Sequence, residues 1–229
     1  MLLYLSTANH YVTIVVNFKT SLTMASILIV DDHPAICFAV KAVLEQEGKY
    51  QVYTATDGMQ AMSQLNMRHY HLVILDIALA KMDGLELLAR IKHHNPQLPV
   101  VILTAQQPHI YAQRALKAGA EGFFSKDDDL SQLKAICELV LAGYFCFPAE
   151  SLKQLKQQQP EVSQTDLITR LSDRELTVLR YLAQGISNKE IAERLLLSHK
   201  TISTYKTRLM EKLQLNSLSE LKVFFEHHC

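Results

Sequence analysis

Five short apolar runs rich in β-branched residues, SILIV (26–30), QVYTA (51–55), HLVIL (71–75), PVVIL (99–103) and EGFFS (121–125), recur along the first part of the chain. Between them lie amphipathic stretches of helical length: Ala35 to Gln46, Gly58 to Met67, Gly84 to His93, Ile110 to Ala118 and Leu130 to Leu141. Strands that alternate with helices run parallel, because each crossover helix returns the chain to the edge it left. Runs that are apolar at successive positions, not only at alternate ones, need cover on both faces. The pattern predicts a five-stranded, doubly wound α/β domain over residues 24–148, with its ligand site at the carboxyl ends of the strands.

The 229 residues leave room for a second domain. After Pro148 the segment SLKQLKQQQPEVSQTD is rich in Gln and has little to bury, which predicts a linker over 149–166. Helical signals resume at Ser172-Asp173-Arg174-Glu175, whose Ser and Glu have the spacing of a capping box, and the spacing returns at Ser187 to Glu190 and Ser217 to Glu220. Ser198 caps a further helix, and Gly185 stands where a helix end calls for a left-handed residue. Residues 167–229 thus read as a small all-α domain of four short helices.

Charge separates the two halves. From Met24 to Pro148 there are ten Lys and Arg against thirteen Asp and Glu, whereas Arg170 to Leu213 holds nine against five. An acidic front and a basic back point to different ligands. Cys37, Cys137, Cys146 and Cys229 lie far apart without a CxxC pair, which argues against a zinc site or disulfide framework. The histidine pairs His69/His71, His93/His94 and His227/His228 lack matching partners at metal spacing, and His33 reads as a loop neighbour of the acids beside it. The longest apolar stretches fall short of the roughly 18 residues of a membrane span. Residues 1–23 are apolar without a basic start, so they read as an extension outside the fold; an added strand or an amphipathic anchor is the alternative.

The predicted first strand ends in Asp31-Asp32, the third in Asp76, the fourth in Thr104 and the fifth in Ser125-Lys126. In a doubly wound sheet these ends share one edge. Three crowded carboxylates repel one another unless a cation sits between them, and an all-oxygen set suits Mg²⁺. A lysine and a hydroxyl nearby complement an added phosphoryl group, which makes Asp76 a candidate nucleophile. In ILIVDDHP, VILDIALAKMDG, VILTA and FFSK the sequence resembles the receiver domain of two-component response regulators, over about residues 25–145. The resemblance implies phosphorylation of Asp76 from a histidine kinase, Mg²⁺ held by Asp31, Asp32, Asp76 and the Ala78 carbonyl, and phosphoryl contacts from Thr104 and Lys126. Leu79-Ala80 departs from the Met-Pro common after the acceptor, and Phe123 occupies the aromatic switch position often held by Tyr.

The segment ISNKEIAERLLLSHKTISTYKTRLMEKLQL reads as a helix from Asn188 to Leu195, a tight turn, and a helix from His199 to Leu213. At about 100° per residue, Ile202, Leu209 and Leu213 fall within about 40° of one another, with Lys200, Ser203, Thr204, Thr207, Arg208 and Glu211 opposite. Hydroxyls flanked by cations suit a DNA major groove. This half resembles the LuxR/GerE helix-turn-helix, and with the receiver it resembles the NarL/FixJ class of regulators, in its BvgA/EvgA branch. Ser203, Thr204 and Thr207 then correspond to base-reading positions, Lys200 and Arg208 to phosphate contacts, and Lys206 to a flanking phosphate. The last amphipathic helix carries Leu218, Leu221 and Phe225 toward a core or a dimer partner. The expectation is a cytoplasmic transcription regulator, not an enzyme, that dimerises on phosphorylation and binds promoter DNA. A haloacid-dehalogenase-like enzyme is disfavoured by Ala78, where such enzymes place a second Asp; a regulator that works without phosphorylation stays open.

Overall fold

The structure, a computed structural model, describes residues 11–15, 24–80, 82–149, 151, 167–168 and 171–228. The chain divides into two compact units, one of residues 1–79 and 84–158 and the other of residues 80–83 and 159–229.

In the first unit the strands are β1 (Tyr11–Val15), β2 (Ala25–Val30), β3 (Tyr50–Ala55), β4 (Leu72–Leu75), β5 (Val100–Thr104), β6 (Gly122–Ser125) and β7 (Tyr144–Pro148). Its helices are α1 (Pro34–Glu45), α2 (Gly58–Met67), α3 (Gly84–His94), α4 (Pro108–Lys117) and α5 (Ser131–Leu141). The sheet order is β1-β7-β6-β5-β4-β2-β3. The five predicted strands are β2 to β6, all parallel, and the order reverses at β2, which lies between β3 and β4. Ile27, Leu28, Ile29 and Val30 are all fully buried, so β2 is covered on both faces as its unbroken apolar run requires.

Local chemistry sets the helix starts. Pro34 and Pro108 stand at the first turns of α1 and α4, where a missing N–H has no helical partner to lose. Asp57 caps α2 by accepting from the Gln60 amide at 2.8 Å.

Among the described residues, the sheet has two further strands beside the five predicted ones. The aromatic segment after α5 continues it as β7, parallel to β6. Tyr11–Val15 then pairs antiparallel along all of β7, from Tyr11 opposite Pro148 to Val15 opposite Tyr144. The placing of residues 1–23 outside the fold is thus corrected for 11–15. A row of open N–H and C=O groups on a sheet edge accepts any extended β-branched segment within reach, and YVTIV is one. The predicted linker lies almost wholly outside the described residues.

The second unit holds α6 (Asp173–Ala183), α7 (Asn188–Leu195), α8 (His199–Leu213) and α9 (Leu218–His228). Ser172 and Glu175 form a full capping box at α6. Glu175, nearly buried, also takes an ion pair from Lys212 Nζ at 2.6 Å, which ties α6 to α8. Burial alone would raise the Glu175 pKa, but Lys212 and the Ser172 bonds hold it below the usual carboxylate value. Gly185, with φ of +79°, closes α6 as expected. The core is made by Leu176, Leu179, Ile191, Leu195, Ile202, Leu209, Leu213 and Leu221. Of the three apolar residues expected on the inner side of α9, Leu221 is buried, Phe225 half-buried and Leu218 exposed.

Candidate functional site

The sheet ladder brings the polar strand ends together. The Asp31 amide donates to Ala55 O, the Asp76 amide to Val30 O and the Lys126 amide to Thr104 O, at 2.8–3.0 Å, so all these residues stand on one edge. This is the edge beside the point where strand order reverses, the place an open α/β sheet leaves for a ligand. Asp31 and Asp76 are 1% exposed and Thr104 is fully buried. Lys126 Nζ lies 2.6 Å from Asp31 Oδ2 and 2.6 Å from Asp76 Oδ2, and so bridges two acids from different strands. Burial by itself would lower the Lys126 pKa, but the facing carboxylates of Asp76 and Asp31 outweigh it and raise the value. The ammonium is therefore a fixed positive charge.

Asp76 Oδ1 accepts from the Ala78 amide at 2.8 Å, which sets the carboxylate's orientation. Behind it, the loop closes on Gly84. A Cβ there would stand 2.2 Å from Ile77 Cα and 2.7 Å from the Asp76 carbonyl oxygen, so only glycine permits this close return of the chain. Leu79, one of the two residues that depart from the Met-Pro pattern, is 1% exposed and fills an apolar position. Phe123 is fully buried in β6, opposite Ile102 of β5.

Two neighbours of the pocket were not expected to take part in it. His33 donates its backbone N–H to Asp31 Oδ1 at 2.8 Å, and its Nδ1 lies 3.0 Å from both Asp31 Oδ1 and Asp32 Oδ1. One ligand atom from each of Asp31, Asp32, His33 and Asp76 falls within 4.8 Å of the others. Three carboxylates in this arrangement fit a divalent cation with oxygen ligands. Cys37, one turn into α1, donates its thiol to the Asp31 carbonyl at 3.4 Å. Burial, and then the Asp31 charge, push that thiol's pKa up, which keeps it a donor. The sequence signal for both was nearness to Asp31-Asp32, which does not by itself fix a side chain's direction.

On α8 the burial follows the projected helix. Ile202, Leu209 and Leu213 are buried, Lys200, Thr204, Thr207 and Arg208 are exposed, and Ser203 and Lys206 are half-buried. Thr204 Oγ1 donates to Lys200 O at 3.0 Å and Thr207 Oγ1 to Ser203 O at 3.1 Å. With the hydroxyl protons committed to the helix, these side chains offer an acceptor oxygen and a methyl group outward. Lys206 lies on the wall of a groove of about 700 Å³ that also takes in Asn188, Ser203, Thr207, Gln214 and Asn216. Ser198 caps α8 at its amide of Thr201, and Leu196, with φ of +55°, makes the turn from α7.

A doubly wound domain with an acidic strand-end pocket, joined to a helix-turn-helix domain, is the architecture of a DNA-binding response regulator. Residues 27–138 match the response regulator receiver domain, and residues 169–225 match the luxR family of bacterial regulatory proteins. The protein BvgA of Bordetella pertussis is 44% identical over 196 residues, covering 85% of this chain and 93% of that protein. Among solved structures, the RcsB response regulator of Salmonella typhimurium has a TM-score of 0.72 at 28% identity, over 90% of this chain and 98% of its own. RcsB from Salmonella enterica serovar Typhimurium bound to promoter rprA, in the presence of phosphomimetic BeF3-, has a TM-score of 0.65 at 28% identity, over 88% and 98%. The chain belongs to the NarL/FixJ family of response regulators, transcription regulators with a receiver and a LuxR-type DNA-binding domain. No described helix is long and apolar enough to cross a membrane.

Proposed function

We propose that the chain is a phosphorylation-controlled transcription regulator in which Asp76 accepts a phosphoryl group from the histidine of a partner kinase or phosphotransfer protein. The observation that carries this reading is the pairing of a buried Asp76 with Lys126 at 2.6 Å on the ligand edge of the sheet. An Asp76 carboxylate oxygen attacks the phosphorus, a P–O bond forms, the P–N bond breaks, and its electron pair returns to the imidazole. Lys126, already held at the carboxylate, neutralises the transferring oxygens. The Thr104 hydroxyl, at the end of the adjacent strand, then takes a phosphoryl oxygen, and Phe123, two residues back along β6 from Ser125, the partner of Thr104, follows the repacking. The carboxylates of Asp31, Asp32 and Asp76 with the Ala78 carbonyl would hold Mg²⁺, which when bound supplies further charge neutralisation.

Phosphorylation of the receiver (24–148) promotes a homodimer, and the linker (149–166) lets two copies of the helix-turn-helix domain (167–229) reach paired half-sites on promoter DNA. The α8 face of Ser203, Thr204 and Thr207 reads base edges or thymine methyls, and Lys200, Lys206 and Arg208 bind phosphates. The resemblance to RcsB, solved on promoter DNA with a phosphomimetic, supports this division of labour.

The test is binding to a target promoter fragment with and without acetyl phosphate and Mg²⁺, for the wild type and Asp76→Ala. Affinity is expected to rise only for the wild type. Equal binding by both proteins in every condition would overturn the switch and leave the receiver as a fixed dimerisation module.

A further inference from the structure

The outermost strand of the sheet lies far from the strand that follows it in sequence. β1 pairs with β7 over all five of its residues, with Tyr11 opposite Pro148 and Val15 opposite Tyr144. β7 has β6 on its other side and belongs to the core, with Cys146 and Phe147 each 1% exposed, so its outer edge needs a strand to cover it. YVTIV carries no charge, proline or glycine, the features by which edge strands turn partners away. Residues 16–24 join β1 to β2, which stands five strand spacings across the sheet in the order β1-β7-β6-β5-β4-β2. Because β1 runs antiparallel to the other strands, Val15 and Ala25 lie toward the same end of the sheet. Five spacings come to about 24 Å, whereas a free chain of nine residues averages about 17 Å from end to end and reaches about 33 Å only when fully drawn out. The direct path is also obstructed, since the connections into β4, β5, β6 and β7 (68–71, 95–99, 118–121 and 142–143) all enter at this end.

We propose that the outer edge of β7 is an interface between two copies of this chain, which exchange their Tyr11–Val15 strands. The β7 edge offers the same backbone hydrogen bonds to Tyr11–Val15 of a second copy as to its own, so exchange forfeits no pairing. What differs is the connector. Within one chain it is held well beyond its natural span, and a short connection under tension is the condition that favours exchange. The exchange is reciprocal, so the pair closes on a two-fold axis and does not grow into a fibre. It requires no phosphoryl group. The unphosphorylated regulator thereby gains a dimer governed by its own concentration, separate from the one that Asp76 promotes, and carries two helix-turn-helix domains on one assembly.

The register supplies the probe, because Thr13 stands opposite Cys146, a free thiol. Full-length Thr13→Cys is oxidised in the absence of acetyl phosphate and run on a non-reducing gel beside the wild type and Thr13→Cys/Cys146→Ser. A disulfide-linked dimer is expected from Thr13→Cys alone. In parallel, sedimentation velocity follows the full chain carrying Asp76→Ala at rising concentration, where a dimer is expected. Adjacent N–H groups of a strand point to opposite sides, so one proline of Val12→Pro/Thr13→Pro removes a bond to β7, and the dimer should weaken by about tenfold or more. A Gly-Ser insertion of about six residues after Lys19 lets the strand reach its own β7 and should weaken the dimer as well. Circular dichroism checks that each variant is folded. A disulfide confined to monomers overturns the exchange and leaves β1 on its own chain. If no disulfide forms, sedimentation decides: a monomer at every concentration, or a dimer indifferent to the prolines, overturns it. Every arm lacks a phosphoryl group, so failure of the Asp76 switch leaves these outcomes as they are.

Discussion

The strand-end pocket and the outer face of α8 are both polar sites, built in opposite ways. The pocket draws Asp31, Asp76, Thr104 and Lys126 from four strand ends, with the first three closed off from water and the lysine half-buried. The α8 face lies within Lys200 to Arg208, one stretch of helix exposed to solvent. Buried charges specify one another, since each is costly without its partner. Exposed charges are screened within about 8 Å at physiological salt and stand largely alone. Changes in the pocket should therefore be severe and insensitive to salt, and changes on the helix mild and salt-dependent.

The largest effect is expected from Lys126→Met, which leaves Asp31 and Asp76 buried without their cation. The receiver should lose about 3 kcal/mol in denaturant unfolding, with part of the loss restored by Mg²⁺. A loss below about 1 kcal/mol would mean the carboxylates are wetter than the structure has them. Gly84→Ala comes next, with a cost of about 2–3 kcal/mol, because the new Cβ meets backbone that cannot yield cheaply. The same variant should take up phosphoryl from acetyl phosphate more slowly, as the Asp76 carbonyl is among the atoms displaced.

On the other side of the comparison, Arg208→Ala should leave the unfolding midpoint almost unchanged. It should weaken DNA binding on all sequences and reduce the slope of log K against log salt by about 1. A change of sequence preference instead would move Arg208 from phosphate to base contact. Leu196→Gly should stabilise the second domain by about 0.5 kcal/mol in thermal unfolding. Leu196 holds a left-handed φ of +55°, and the relief of that strain slightly exceeds glycine's cost in the unfolded chain.

The smallest effect is a pH dependence at the end of the sheet away from the pocket. The half-buried His71 accepts the Ser26 amide on Nδ1 at 3.0 Å, and burial, then the neighbouring His69, lower its pKa. The unfolded chain then binds the extra proton, so this contribution is whole above a pH of about 6.5 and is lost as pH falls through the lower folded value. Unfolding measured from pH 7.5 to 5 should decline more steeply for the wild type than for His71→Asn.

Much of this was legible in the residues. Continuous apolar runs marked β2 to β6, and Asp57, Ser172 and Ser198 fixed helix starts through bonds made within a turn. The inner stripe of α8 followed from helical periodicity alone. The two outer strands were not legible, because pairing of Tyr11–Val15 with β7 is a matter of which edge stands open after the rest has folded.

Which residue types end the strands was written in the sequence, and so was the candidate pocket, since a parallel sheet with crossover helices leaves one edge on which strand ends can meet. Which of their atoms touch was decided only in three dimensions. Lys126 bridges two acids, His33 turns its ring onto Asp31 and Asp32, and Gly84 lets the loop return against Ile77. Periodicity and capping act between residues a few positions apart, which the chain itself keeps together. Contacts between distant strand ends depend on register and twist, and those are set by the packing of the whole sheet.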